Sequence, residues 1–237
     1  MTSATETKNS GLLLTNSKNY SFLKHNMIAV QNLRKSYGSH LVLEVPELTL
    51  TTGIHWFKGA NGSGKTTFFR VLAGMLPFEG NIQLGEFDIR QQPVAYRLRI
   101  NYGEAEPDYP DFLTAHDLIS FVAKTKQAPE KQVETLIETL GIAPFLYQST
   151  GTYSSGMLKK LSLALAFLGK SQVIILDEPL VTIDGATVTK VYELIRDYHA
   201  QGIAFLLSSH QDFRFQALPI TSVFEVKNGS ISMSDVS

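Results

Sequence analysis

Nine consecutive residues, Gly59-Ala60-Asn61-Gly62-Ser63-Gly64-Lys65-Thr66-Thr67, fit the phosphate-cradling pattern G-x-x-x-x-G-K-[ST] without a mismatch. The glycines let the backbone turn tightly enough for successive N–H groups to face phosphate oxygens. Lys65 is expected to reach the β- and γ-phosphates as a point charge. The Thr66 hydroxyl is expected to ligate the Mg2+ that accompanies a nucleoside triphosphate. A second constellation lies at Asp177-Glu178-Pro179, directly after the apolar run Val173-Ile174-Ile175-Leu176. A buried strand ending in two acids places both carboxylates at the carboxyl edge of a sheet, where open α/β folds bind ligands. Asp177 is assigned to the magnesium, directly or through its waters, and Glu178 to orienting or deprotonating the water that attacks the γ-phosphate. A glutamate is a weak base in free solution, with a pKa of about 4.3, so its usefulness here must come from position.

Those residues need particular elements to hold them. Ile54-His55-Trp56-Phe57 reads as a strand feeding the phosphate loop, and Phe68 to Ala73 as the helix leaving it, whose positive dipole end adds to the attraction for anions. Short β-type runs at Met27 to Val30, Leu41 to Val45, Leu48 to Leu50 and Asn81 to Leu84 predict a strand-rich lobe leading into this βα unit. The middle of the chain is helical. Thr114 and Asp117 form an [ST]-x-x-[DE] start signal, and Pro129 suits the first turn of the next helix. Val133, Leu136, Ile137 and Leu140 give that helix one apolar face before Gly141 stops it. A third helix is expected from about Met157 to Leu168. The runs 173–176 and 203–207 are apolar throughout, as for strands covered on both faces, with a crossover helix over Val188 to His199 between them. The pattern predicts a parallel α/β core interrupted by an inserted helical subdomain.

Composition excludes several classes. With 237 residues, 43% of them hydrophobic, the chain can bury a full core. The 21 Lys+Arg are scattered against 22 Asp+Glu for a net charge of -1, so nothing argues for a nucleic-acid partner. Absence of cysteine removes disulfides, zinc thiolates and cysteine nucleophiles together. No apolar run approaches the ~18 residues of a membrane helix, and the N-terminus does not read as a signal peptide. The chain is therefore expected to be cytoplasmic. Residues 1–26 are polar and aperiodic and are expected to form a flexible tail.

From Met27 to the C-terminus the ordered motifs resemble the ATP-binding cassette (ABC) ATPases. Asn32-Leu33-Arg34-Lys35-Ser36-Tyr37-Gly38 looks like the opening segment of that family, which implies that Tyr37 stacks on adenine. Thr152 to Met157 is similar to the family signature, usually written LSGGQ, in a form common among exporter-type members, with Ser154, Ser155 and Gly156 at its centre. Leu180 to Asp184 matches the loop after the catalytic glutamate, and Asp184 its aspartate. Ser208-Ser209-His210 matches the switch histidine that contacts the γ-phosphate. Ser154 and Gly156 begin a helix, so their hydroxyl and N–H groups form a second anion site. The resemblance implies a P-loop NTPase (RecA-like) core with an N-terminal antiparallel β lobe, residues 27–106 and 170–237, and a helical signature subdomain, residues 107–169. It also implies ATP and Mg2+ as ligands and a head-to-tail homodimer or heterodimer with another such subunit. The ATPase would then drive a separate integral membrane permease from the inner face of the membrane, with Tyr109, Phe112 and Leu113 as contacts.

Three positions depart from the family. Ser155 replaces a glycine, which is a strain if the position needs φ > 0 and mild if it needs only a small side chain. Ala105 stands where a glutamine is expected; Glu104 or Glu106 takes over magnesium contact, or the contact is lost. Lys58 puts a charge where an apolar residue is expected. The alternative to a transport ATPase is a non-transport ABC ATPase or a nucleotide-gated switch that hydrolyses weakly.

Overall fold

The structure is a computed structural model that describes residues 27–210 and 218–234; the expected N-terminal tail lies outside the described residues. In chain order it places β1 (Ile28–Tyr37), β2 (His40–Leu50), β3 (Ile54–Lys58), α1 (Lys65–Leu72), β4 (Glu79–Leu84), β5 (Phe87–Asp88), α2 (Pro93–Arg99) and β6 (Ile100–Gly103). Then come three helices, α3 (Ala115–Lys126), α4 (Glu130–Leu140) and α5 (Ser155–Phe167). The remainder is β7 (Val173–Leu176), α6 (Gly185–Ala200), β8 (Ala204–Ser209), β9 (Ser222–Lys227) and β10 (Ser230–Ser234). One sheet is antiparallel, in the order β2-β1-β4-β5; the other runs β10-β9-β3-β8-β7-β6, parallel from β9 to β6 with β10 antiparallel at one edge.

Alternation along the parallel strands explains their unbroken apolar runs. Ile54, Trp56, Ile174, Leu176, Phe205 and Leu207 face a core made with α3 to α6. Phe57, Val173, Ile175 and Leu206 face a second core made with α1 and the antiparallel sheet. A side chain that is apolar on either face removes surface from water, at roughly 1.5–3 kcal/mol for each fully buried large residue. Phe57 anchors the second core, stacked on Phe224 at 4.9 Å and edge-on to Phe69 at 5.3 Å. The strand that delivers the phosphate loop is thereby clamped by the helix that leaves it.

Local chemistry accounts for the helix starts. Thr114 and Asp117 form the capping box, each side chain accepting from the other residue's backbone N–H. Pro129 occupies the N-cap position of α4 instead of its first turn. α5 begins two residues before the expected Met157, because the Ser154 hydroxyl accepts from Met157 N at 3.3 Å. The runs read as separate strands at 41–45 and 48–50 form one strand across Pro46, which β2 tolerates as the edge of its sheet. The short helix α2 and the hairpin of β9 and β10 carry no strong periodic signal in the sequence.

One buried polar group on β3 links the fold to pH. His55 is 2% exposed; its Nε2 donates to Thr51 O at 2.8 Å, so its Nδ1 accepts from the Ser222 hydroxyl at 2.6 Å. Burial is the main reason its pKa lies below 6.5. The unfolded chain therefore binds more protons than the folded chain between the two pKa values, and stability rises with pH through that window. Melting temperature is expected to fall as pH drops below about 6.5, with a smaller acid-side fall in His55→Gln, read by thermal denaturation at pH 7.5 and 5.5.

Candidate functional site

The loop from Gly59 to Gly64 joins β3 to α1 and is pressed against neighbouring backbone. A Cβ on Gly59 would stand 2.3 Å from Val226 O; Gly64 has φ 110°, and a Cβ there would stand 2.9 Å from the Leu43 side chain. Both positions therefore demand glycine. The first N–H groups of α1 have no acceptor within the helix, and they open toward the loop. Lys65 folds over it, donating to Gly59 O at 2.6 Å and Ala60 O at 3.1 Å, with its ammonium 4.0 Å from a Glu178 carboxylate oxygen. Ser63 Oγ is buried and makes no hydrogen bond. These groups lie in a cleft of about 490 Å³, lined by Val42, Asn61 to Thr67, Arg70, Ala105, Glu106 and Glu178. The volume suits a small ligand, and the orphaned hydroxyl, free helix N–H groups and lysine suit an anionic one.

The acids approach the cleft from the carboxyl end of β7. Asp177 is 1% exposed and does not line it: its Oδ1 accepts from Ser208 Oγ, and its Oδ2 from the Tyr102 hydroxyl at 3.2 Å. The same Ser208 oxygen accepts from Glu178 N at 3.0 Å, so one hydroxyl on β8 fixes both acids. Burial above all, with the charge of Asp177 next, pushes the Tyr102 phenol up and keeps it a donor. Glu178 has φ 46°, an unusual conformation for a non-glycine residue. Its carboxylate lies between Lys65 and His210, with His210 Nδ1 at 3.0 Å from Oε2. Arg70 stands 3.7 Å from Glu104, whose carboxyl is raised chiefly by burial, with Arg70 opposing.

Other expected residues lie outside this group. Tyr37 is 51% exposed near the β1–β2 turn, with the Lys35 ammonium 4.6 Å above its ring, and does not line the cleft. Ser154, Ser155 and Gly156 also lie away from the cleft lining. Ser155 is the first residue of α5 with no positive φ, so its replacement of glycine carries no backbone strain. Asp184 caps α6, accepting from Thr187 N at 2.8 Å, and pairs with Lys160 at 3.0 Å. The Thr187 backbone bond, followed by the Lys160 contact, holds its carboxyl well below the usual range. Between Glu178 and Asp184, Thr182 has φ 68°, which places a β-branched residue in a strained conformation.

Several residues at the site were not singled out from sequence. Ser208 had a readable signal, its place at the end of a strand that must face β7. Tyr102, Arg70 and Lys159 had none, since each acts by reaching across from another element. Lys159 is 2% exposed, and burial brings its pKa down to about 8 despite the charges of Asp177, Glu178, Glu104 and Glu106. Lys58 holds its ammonium 5.9 Å from the Trp56 ring centroid, a contact that gives its charge a place at the strand end. Among the described residues no group of three or more His, Asp or Glu could hold a metal ion. No described helix is long and apolar enough to cross a membrane.

Comparison with known proteins extends this geometry. The profile of the ABC transporter family matches residues 46–181, more than half of the chain. The linearmycin resistance ATP-binding protein LnrL of Bacillus subtilis is 26% identical over 190 residues, covering 78% of this chain and 61% of that protein. The lantibiotic transport ATP-binding protein SrtF of Streptococcus pyogenes is 26% identical over 192 residues, covering 78% of this chain and 80% of the relative. A solved ATP-binding subunit of an ABC transporter superposes with a TM-score of 0.79 at 23% identity, over 89% of this chain and 90% of that one, a likeness of fold. With the phosphate loop and the paired acids at one sheet edge and the family profile running through both, the chain belongs to the ABC transporter ATP-binding family.

Proposed function

We propose that this chain is the ATP-binding and ATP-hydrolysing subunit of an ABC transporter, closing against a second cassette when ATP binds and reopening after hydrolysis. The observation that carries the reading is the line Lys65, Glu178, His210 at the cleft, with separations of 4.0 Å and 3.0 Å. In this reading Asn61 to Thr67 hold the triphosphate through backbone N–H groups, the Ser63 hydroxyl and Lys65. Thr66 would hold Mg2+ directly and Asp177, enclosed behind the cleft lining, through the waters of the ion, which would supply charge neutralisation on the phosphates. Glu178 orients the attacking water and takes its proton, and His210 holds Glu178 while sensing the γ-phosphate. Tyr37 offers its ring to the adenine. Ser154, Ser155, Gly156 and Asp184 serve the nucleotide of a second subunit, homologous or identical, because they lie outside this chain's own cleft lining.

A permease partner is supported by the apolar surface of the helical layer. Phe112 is 82% exposed, Phe121 70% and Tyr147 73%, large apolar side chains open to a partner. Tyr109 and Leu113, grouped with Phe112 at the outset, are partly buried and supply less contact area. Relatives named for linearmycin resistance and lantibiotic transport support the transport reading. One observation favours the alternative, a nucleotide-gated switch with weak hydrolysis: Ala105 lines the cleft where a glutamine side chain was expected, leaving Glu106 as the polar group of that segment.

Purified protein should hydrolyse ATP in a magnesium-dependent manner. Glu178→Gln is expected to lower turnover by at least ~100-fold while ATP binding, read by calorimetry, survives. Equal turnover in that variant would remove Glu178 from the reaction. Lys65→Ala should weaken ATP binding by about tenfold or more through loss of charge-assisted hydrogen bonds.

A further inference from the structure

Helix α5 reaches the cleft through two side chains one turn apart. The Lys159 ammonium donates to three main-chain carbonyls, Glu104 O at 2.7 Å, Ala105 O at 2.6 Å and Asp177 O at 3.3 Å. Three residues on and so on the same face, the Ser162 hydroxyl accepts from Glu104 N at 2.9 Å. Both side chains are 2% exposed. Glu104 is therefore gripped at its N–H and its carbonyl by one helix, and the same lysine holds the peptide between Asp177 and Glu178. A buried ammonium with all three donors on neutral carbonyls is costly to form and is well placed to fix backbone.

We propose that Lys159 and Ser162 are positioning residues for ATP hydrolysis, a clasp that ties the cleft segment Glu104 to Glu106 and the Asp177 carbonyl to helix α5. The opposite attachment of the clasp is short: Ser154 to Gly156 begin this same helix, less than two turns from Lys159. Displacement of the helix N-terminus by an approaching subunit is thus carried by hydrogen bonds to the two carboxylate-bearing segments, Glu106 and Glu178, that line the cleft. This rests on the ATPase reading above.

The test compares Lys159→Met and Ser162→Ala with the parent in two readouts. Amide exchange of residues 104–106 in the nucleotide-free protein is independent of hydrolysis, and both variants should speed it by about tenfold or more. In steady-state ATPase assays Lys159→Met should lower kcat by about tenfold and Ser162→Ala by about threefold, with KM for ATP within about twofold in each. Unchanged exchange, an unchanged kcat, or a rise in KM in place of a fall in kcat overturns the clasp. Should Lys159→Met fail to fold, Ser162→Ala decides, since it removes one bond of the same clasp with little change in volume. A parent without ATPase activity would overturn the hydrolysis reading, and with it the kinetic role of the clasp, while the exchange measurement still reports whether the segment is held.

Discussion

Everything at this site depends on the parallel register of β3, β8 and β7. Lys58 stands beside Ser209, so β3 and β8 end level, and Leu176 stands beside Leu207, so β7 ends two residues short of β8 at the same edge of the sheet. Each strand then delivers its own group to that edge: the phosphate loop, the Ser208 to His210 segment, and the acids Asp177 and Glu178. Parallel strands require covered faces, and here the cover is two cores built from alternate residues of the same strands. A substitution in either core would move the strand ends relative to one another, and the cleft would change with it.

Polar bonds at the strand ends convert this register into chemistry. Ser208 joins β8 to both acids of β7, and Tyr102 on β6 joins the same Asp177. A carboxylate as buried as Asp177 needs such donors, because an isolated charge taken from water costs far more than one hydrogen bond returns. Glu178, by contrast, is turned by its positive φ out of that network and toward Lys65 and His210. The two neighbouring acids thus have different surroundings, one enclosed and one facing the cleft, as their proposed separate duties require.

Strain is concentrated in the same short segment. Glu178 and Thr182 both adopt left-handed backbone, and between them runs the turn that leads from the cleft to Asp184 and the cap of α6. Asp184 is engaged with Thr187 and Lys160, the latter on α5. Lys159 and Lys160, adjacent on one helix, thereby hold opposite ends of the segment 177–184, one through the Asp177 carbonyl and the other through the Asp184 carboxylate. The helical layer is fastened at both points to the sheet edge that carries the acids.

By itself the sequence determined the strongly patterned elements and the chemistry placed at their ends. The pattern at Gly59 to Thr67 specified an anion cradle, the run 173–176 followed by two acids specified a buried strand with carboxylates at its end, and Thr114 with Asp117 specified a helix start. These are local properties, set by backbone conformation and by the period of apolar residues. Tertiary structure decided what is close to what. That Ser155 sits in relaxed helical backbone, that Asp177 turns away from the cleft lining while Glu178 faces it, and that Lys159 spans from α5 to two other strand ends cannot be read from spacing. Each depends on side chains from elements distant in the chain meeting across a packed interior, where the direction a side chain takes is settled by its neighbours.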